Sequence, residues 1–143
     1  MATTVIDGKG LIFGRLASNV AEMVLSMDDV IVLNAEKIVV TGNPDMTMAL
    51  FKHKVDVGEC TKRKGPFYPR RADLLFKRCV RGMIPYGKTT GKEAYRRVHV
   101  FVGVPKQFQG ADDLVRPPES VRFVKGKYIT LGEIAERLGS RVR

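Results

Sequence analysis

The residues that most readily suggest chemistry are Gly82-Met83-Ile84-Pro85-Tyr86-Gly87-Lys88-Thr89, which satisfy GxxxxGK[ST]. In a nucleoside triphosphatase such a run cradles phosphates with backbone N–H groups, sets a lysine on them and places a hydroxyl on Mg²⁺. That loop must leave an apolar strand and open a helix. Here residues 76–81 read as the end of a basic amphipathic helix, and Pro85 interrupts the loop. The apolar run 98–104 meets Pro105 without a metal-binding Asp. The surroundings argue against an enzyme. They fit a loop whose glycines admit close backbone approach to phosphates, with Arg81 and Lys88 supplying charge from either side.

Charge gives the second signal. Between residues 61 and 97 lie Lys62, Arg63, Lys64, Arg70, Arg71, Lys77, Arg78, Arg81, Lys88, Lys92, Arg96 and Arg97, opposed only by Asp73 and Glu93. Twelve of the 25 basic residues and two of the 15 acidic ones sit in this segment, which leaves thirteen of each sign elsewhere, so the whole formal excess of +10 belongs to it. A neutral body with one cationic segment calls for a polyanionic partner. Phe67, Tyr68, Tyr86 and Tyr95 interleave with these cations, where rings can stack on unpaired bases. Tyr68 and Tyr86, with Pro, Gly and Arg around them, are the stronger stacking candidates, whereas Tyr95 sits in a capped helix and is expected to pack.

Other chemistries find little support. Cys60 and Cys79 form no CxxC pair and have no His/Cys grouping at metal-ligand spacing, so the sequence implies reduced thiols and neither zinc nor a disulfide framework. His99 has no ligand cluster beside it and is read as a satisfied histidine near a strand end. The glycine-flanked residues 10–15 read as a tight strand-to-helix turn before an anion site. The first ten residues lack a charged start followed by an apolar run, and no stretch approaches the roughly 18 apolar residues of a membrane span. The expectation is a cytoplasmic protein with no cofactor, no metal, no small-molecule substrate and no membrane partner.

The elements that must position these residues follow from periodicity. With 143 residues, 44% hydrophobic and 28% charged, the chain has the length and composition of one domain, 1–143. Residues 3–6 read as a strand, 7–10 as a glycine turn, and Leu16, Val20, Met23 and Val24 as one helical face. Residues 29–33 form an aliphatic run of the kind covered on both sides, and 38–41 extend or follow it. Asn43, Pro44 and Asp45 cap a helix over 44–54, with Met46, Ala49, Leu50 and His53 on one face. Residues 55–67 read as a mobile basic loop.

From Pro69, the spacing of Ala72, Leu75, Phe76, Cys79 and Met83 gives a half-buried helix with a cationic back, ended by Gly82 and Pro85. Thr90 and Glu93 resemble a capping box for a short helix over 94–97, followed by a strand over 98–104. After an irregular excursion, 121–124 and 127–129 are expected to pair as a small hairpin. Thr130 and Glu133 cap a last helix closed by Gly139. The strand and helix alternation predicts a three-layer α/β/α domain with a mostly parallel central sheet, plus basic loops and a small C-terminal hairpin and helix.

Several blocks together carry a family resemblance. They are Val80-Arg81-Gly82-Met83-Ile84-Pro85, Gly91-Lys92, Val98-His99-Val100-Phe101-Val102-Gly103, Gly14-Arg15-Leu16-Ala17-Ser18 and Asn34-Ala35-Glu36-Lys37-Ile38. The chain resembles the ribosomal protein L13 family of the large subunit over residues 5–108, and its basic insertion and compact tail look like the archaeal form. The resemblance implies binding to 23S-type rRNA, neighbouring ribosomal proteins as further partners, no enzymatic activity, and a role in subunit assembly. It carries over most directly to Arg81, Gly82, Met83 and Pro85, then to the 87–92 loop; beyond Phe108 the family varies. The candidate RNA-binding residues are Lys62, Arg63, Lys64, Tyr68, Arg70, Arg71, Arg78, Arg81, Gly82, Tyr86, Lys88, Lys92, Arg96 and Arg97. The alternatives are a free RNA-binding regulator and, last, a P-loop-like enzyme.

Overall fold

Alternation of short aliphatic strands with amphipathic helices produces a layered α/β structure. The computed structural model describes residues 3–57, 65–109, 114, 115, 117 and 126–141. In chain order its elements are β1 (Thr3–Asp7), α1 (Phe13–Leu25), β2 (Asp29–Leu33), β3 (Val39–Thr41), α2 (Pro44–Asp56), α3 (Ala72–Met83), α4 (Thr89–Arg96), β4 (Val98–Val100), β5 (Leu114–Val115), β6 (Tyr128–Thr130) and α5 (Leu131–Arg137). The main sheet has the order β4-β2-β1-β5, and every pairing in it is parallel. Helices flank it. This is the α/β/α arrangement with a mostly parallel sheet that the alternation implies. Ile6, Val30, Val32 and Val98 are wholly buried, each worth about 1.5–3 kcal/mol relative to exposure.

The ends of β1 and β2 are tied by a polar bridge. Asp7, 8% exposed, accepts from Asn34 Nδ2 at 2.8 Å and from the Lys9 backbone N–H at 3.1 Å, both at Oδ1. Asn34 itself sits in the left-handed region at φ 53°, a conformation that its short amide side chain tolerates. Gly10 takes φ 75° and donates to the Lys37 carbonyl at 3.1 Å, so residues 10–15 make the tight turn into α1.

Three expectations are corrected. In α2 the inward face is Phe51, with Met48 and Val55 packed beside it, while Met46 is 73% and Leu50 53% exposed. The helix carries two apolar stripes on opposite sides, and Phe51 wins because its large ring meets Tyr68. The strand expected over 98–104 stops at Val100, because Gly103 turns at φ 69° and its N–H donates to Glu36 Oε2 at 2.9 Å. Helix α4 begins at Thr89, with Lys88 as a cap that makes no side-chain hydrogen bond, so Thr90 lies inside the helix and forms no capping box. Residues 128–130 pair antiparallel with β3; 121–124, their expected hairpin partner, lie outside the described residues.

Other boundaries hold. Asn43 accepts from the Asp45 N–H at 3.1 Å to start α2. Thr130 and Glu133 form a complete capping box, and Gly139 follows α5 at φ 91°. Helix α3 buries Ala72, Leu75, Phe76 and Val80, and Phe76 meets Phe13 of α1 edge to face at 5.9 Å between ring centres. That seam fixes which side of α3 faces outward.

Candidate nucleic-acid interface

At 100° per residue, burying Ala72, Leu75, Phe76 and Val80 places Arg81 almost opposite the buried face of α3, with Lys77 and Arg78 to either side of it and Arg70 in line ahead of the helix. Lys77, Arg78 and Arg81 are held by aromatic rings and not by carboxylates. Arg78 Cζ lies 5.4 Å from the Tyr68 ring centre, and Lys54 Nζ of α2 lies 5.5 Å from the same ring. Lys77 Nζ stands 4.9 Å over Tyr95, and Arg81 Cζ 5.3 Å from Tyr86. Tyr86 and Tyr95 meet edge to face at 5.4 Å, which links the α3–α4 turn to α4. Each such contact is worth about 0.5–1 kcal/mol at an exposed site and orients a cation without neutralising it.

Among the described residues, the only ion pair made by the cations of this segment joins Arg71 Nη2 to Asp73 Oδ2 at 2.9 Å. Burial pushes the Tyr68 hydroxyl upward, reinforced by Cys79 and opposed by Arg78. Burial likewise raises Tyr95, against the pull of Arg81 and Arg78, and lowers Lys77. Both phenols are therefore neutral at neutral pH, so they meet the cations through the ring face and not as phenolates.

Lys88, Lys92 and Arg96 recur every fourth residue and are exposed, giving α4 its own basic stripe. The turn between α3 and α4 is set by Gly91, where a Cβ would overlap the Pro85 carbonyl and approach the Tyr86 backbone N at 3.1 Å. Gly82 lies within α3, and neither Gly82 nor Gly87 adopts positive φ. The segment 82–89 is thus a helix–turn–helix corner, unlike the strand–loop–helix of a phosphate-binding triphosphatase loop.

Arg97 departs from the group. Its Nη2 donates to the Val24 carbonyl at 2.9 Å, and its Nε is buried. Tyr68 is half-buried against Phe51 at 6.4 Å, so its ring belongs to the scaffold. Lys62, Arg63 and Lys64 lie outside the described residues. Lys54, Lys77 and Tyr95 are the residues that the candidate set omits. Lys77 was visible at helical offset from Arg70 and Arg81, whereas nothing local to α2 connects Lys54 with Tyr68. Cys79 is a half-buried free thiol, and no group of His, Cys, Asp and Glu among the described residues could hold a metal. No helix among them is long and apolar enough to cross a membrane.

Fold and site together define a layered α/β scaffold that presents a basic helix pair, α3 and α4. Residues 2–107 match the family of ribosomal protein L13, and the chain belongs to that family, whose members are structural constituents of the ribosome and not enzymes. It is 44% identical to large ribosomal subunit protein uL13 of Methanococcoides burtonii over 96% of this chain and 99% of the relative. It is 43% identical to the protein of that name from Archaeoglobus fulgidus, over 96% and 88% of the two chains. With that from Halobacterium salinarum it shares 40% identity over 99% and 94%.

Proposed function

We propose that this chain is a structural constituent of the large ribosomal subunit that seats folded large-subunit rRNA against the outer faces of α3 and α4 and supports subunit assembly. The observation that carries this reading is the set of cations held over tyrosine rings, Lys77, Arg78 and Arg81 on the side of α3 away from its buried stripe and Lys54 on α2. Orientation without neutralisation is what a phosphate-binding surface needs, because a cation already paired with a carboxylate must first give up that partner. Arginines bridge two phosphate oxygens and fix orientation, while lysines add adaptable point charge. Arg70, Arg78, Arg81, Lys88, Lys92 and Arg96 make these contacts, Gly82 and Tyr86 border them, and Lys62, Arg63 and Lys64, outside the described residues, contribute further positive charge by residue type. Neighbouring large-subunit proteins and a cytoplasmic location follow from the same assignment.

The test is a salt titration of binding to an in vitro transcript of the large-subunit rRNA. With about six to ten phosphates contacted, affinity falls roughly 10³- to 10⁵-fold between about 50 and 200 mM salt. A flat titration rejects the mechanism. Sedimentation of a cell lysate separates this reading from a free regulator, since the chain then travels with large subunits.

A further inference from the structure

Phe67 is 68% exposed, the most open aromatic side chain among the described residues. Its position follows from its neighbours. Pro66 and Pro69 fix φ at two places in a segment that has no helix or sheet pairing, and Pro69 also drives Tyr68 toward extended backbone. Successive side chains of extended backbone point to opposite sides. Tyr68 is drawn inward onto Phe51, and the same geometry turns Phe67 outward. The ring is therefore presented on a stiffened stretch of chain.

The surroundings identify what can cover it. The adjacent Tyr68 ring carries Arg78 at 5.4 Å and Lys54 at 5.5 Å, and Arg70 follows at an exposed position. An apolar protein surface seated on Phe67 would have to strip water from Arg70 against the positive potential of the segment, whereas a nucleobase brings phosphates to it. We propose that Phe67 is a stacking platform for an unpaired base of the bound RNA, with the exposed neighbour Arg70 taking an adjoining phosphate and Arg78 and Lys54 adding positive potential from behind the Tyr68 ring. This rests on the RNA-binding reading and adds to it a single-stranded feature of the target, since a base in an intact duplex stack has no free face for a side chain. Tyr68 and Tyr86, the candidates from sequence, instead spend their rings on Phe51, Tyr95 and the cations.

The experiment compares the full chain with Phe67→Ala, Phe67→Leu and Phe67→Tyr in binding to the large-subunit rRNA transcript across a salt series. Phe67→Ala and Phe67→Leu are expected to weaken binding about 5- to 150-fold with the salt slope unchanged, while Phe67→Tyr binds normally. Melting temperatures stay level because the ring is exposed. Ultraviolet cross-linking of the unsubstituted chain is expected to place a nucleotide adduct on residue 67. Full affinity of Phe67→Leu overturns the proposal in favour of a simple apolar contact, as does full affinity of Phe67→Ala or cross-linking confined to Tyr68 and Tyr86. Failure of the unsubstituted chain to bind the transcript rejects the parent reading before any variant is compared.

Discussion

The guanidinium of Arg97 donates through Nη2 to the carbonyl of Val24, 2.9 Å away and next to the last residue of α1. Helix α1 has no basic residue in its own last turn, so Arg97 brings a cation to the negative end of its dipole from the start of β4. This separates an arginine that stabilises the fold from arginines that face a partner.

Arg97→Ala is expected to destabilise the protein by about 1.5–3 kcal/mol, toward the lower end because Nε is buried without an acceptor. RNA affinity measured well below the melting temperature keeps its salt slope. Arg81→Ala shows the converse, with small loss of stability and a salt slope reduced by about one. Urea melts and salt titrations on both variants check the pair; equal loss of slope in the two would contradict the assignment.

Gly91→Ala places a methyl group against backbone atoms of Pro85, which cannot move aside as a side chain can. The expected cost is about 1–3 kcal/mol from overpacking, although alanine ordinarily favours a helix over glycine. Because the clash opens the α3–α4 corner, RNA affinity falls along with stability. Circular dichroism melts and binding assays of the same preparation read both effects.

Asn34→Ala removes the Nδ2 donor to Asp7 and puts alanine into left-handed backbone. The lost hydrogen bond to a buried carboxylate costs about 1.5–3 kcal/mol, with backbone strain added. Asn34→Gly loses the same donor but no strain, so it should be the milder of the two. Denaturation midpoints that rank the variants in the opposite order would rule this account out.

Burial raises the Cys79 thiol above its ordinary 9.0, against the pull of Lys54. Below that ordinary value the thiol is neutral in both folded and unfolded chains, and its contribution to stability is complete. As pH rises, the unfolded chain ionises first, so this contribution is lost through the raised folded value. Tyr68 and Tyr95 act in the same direction at higher pH, and Lys77, lowered by burial, acts against them. Cys79→Ala is therefore expected to lose less stability than the unsubstituted chain between about pH 8 and pH 10. Urea midpoints across that range provide the comparison.

Much of the scaffold is legible in local sequence because it depends on short-range rules. The aliphatic run of β2, the Asn43-Pro44 start of α2 and the Thr130–Glu133 capping box each declare themselves within a few residues. The buried face of α3 is legible in its first two turns for the same reason, in Ala72, Leu75 and Phe76, whereas at its end Val80 is buried and Met83, expected inward, is exposed. In α2 two stripes compete, and the choice is made by Tyr68, which is distant in sequence. The end of β4 is likewise set from afar, by Glu36 accepting from Gly103.

The sequence by itself determined the class of structure, the segment that holds the excess charge, and the unsuitability of residues 82–89 for triphosphate chemistry, because composition and periodicity are properties of the chain alone. Tertiary structure decided the work of individual side chains within that segment. Arg97 turns inward to Val24, Tyr68 and Tyr86 become supports for cations, Lys54 joins from another helix, and Phe67 is left open. The physical reason is that charge is fixed by residue type, whereas the direction and partners of a side chain depend on which neighbouring elements pack against its backbone.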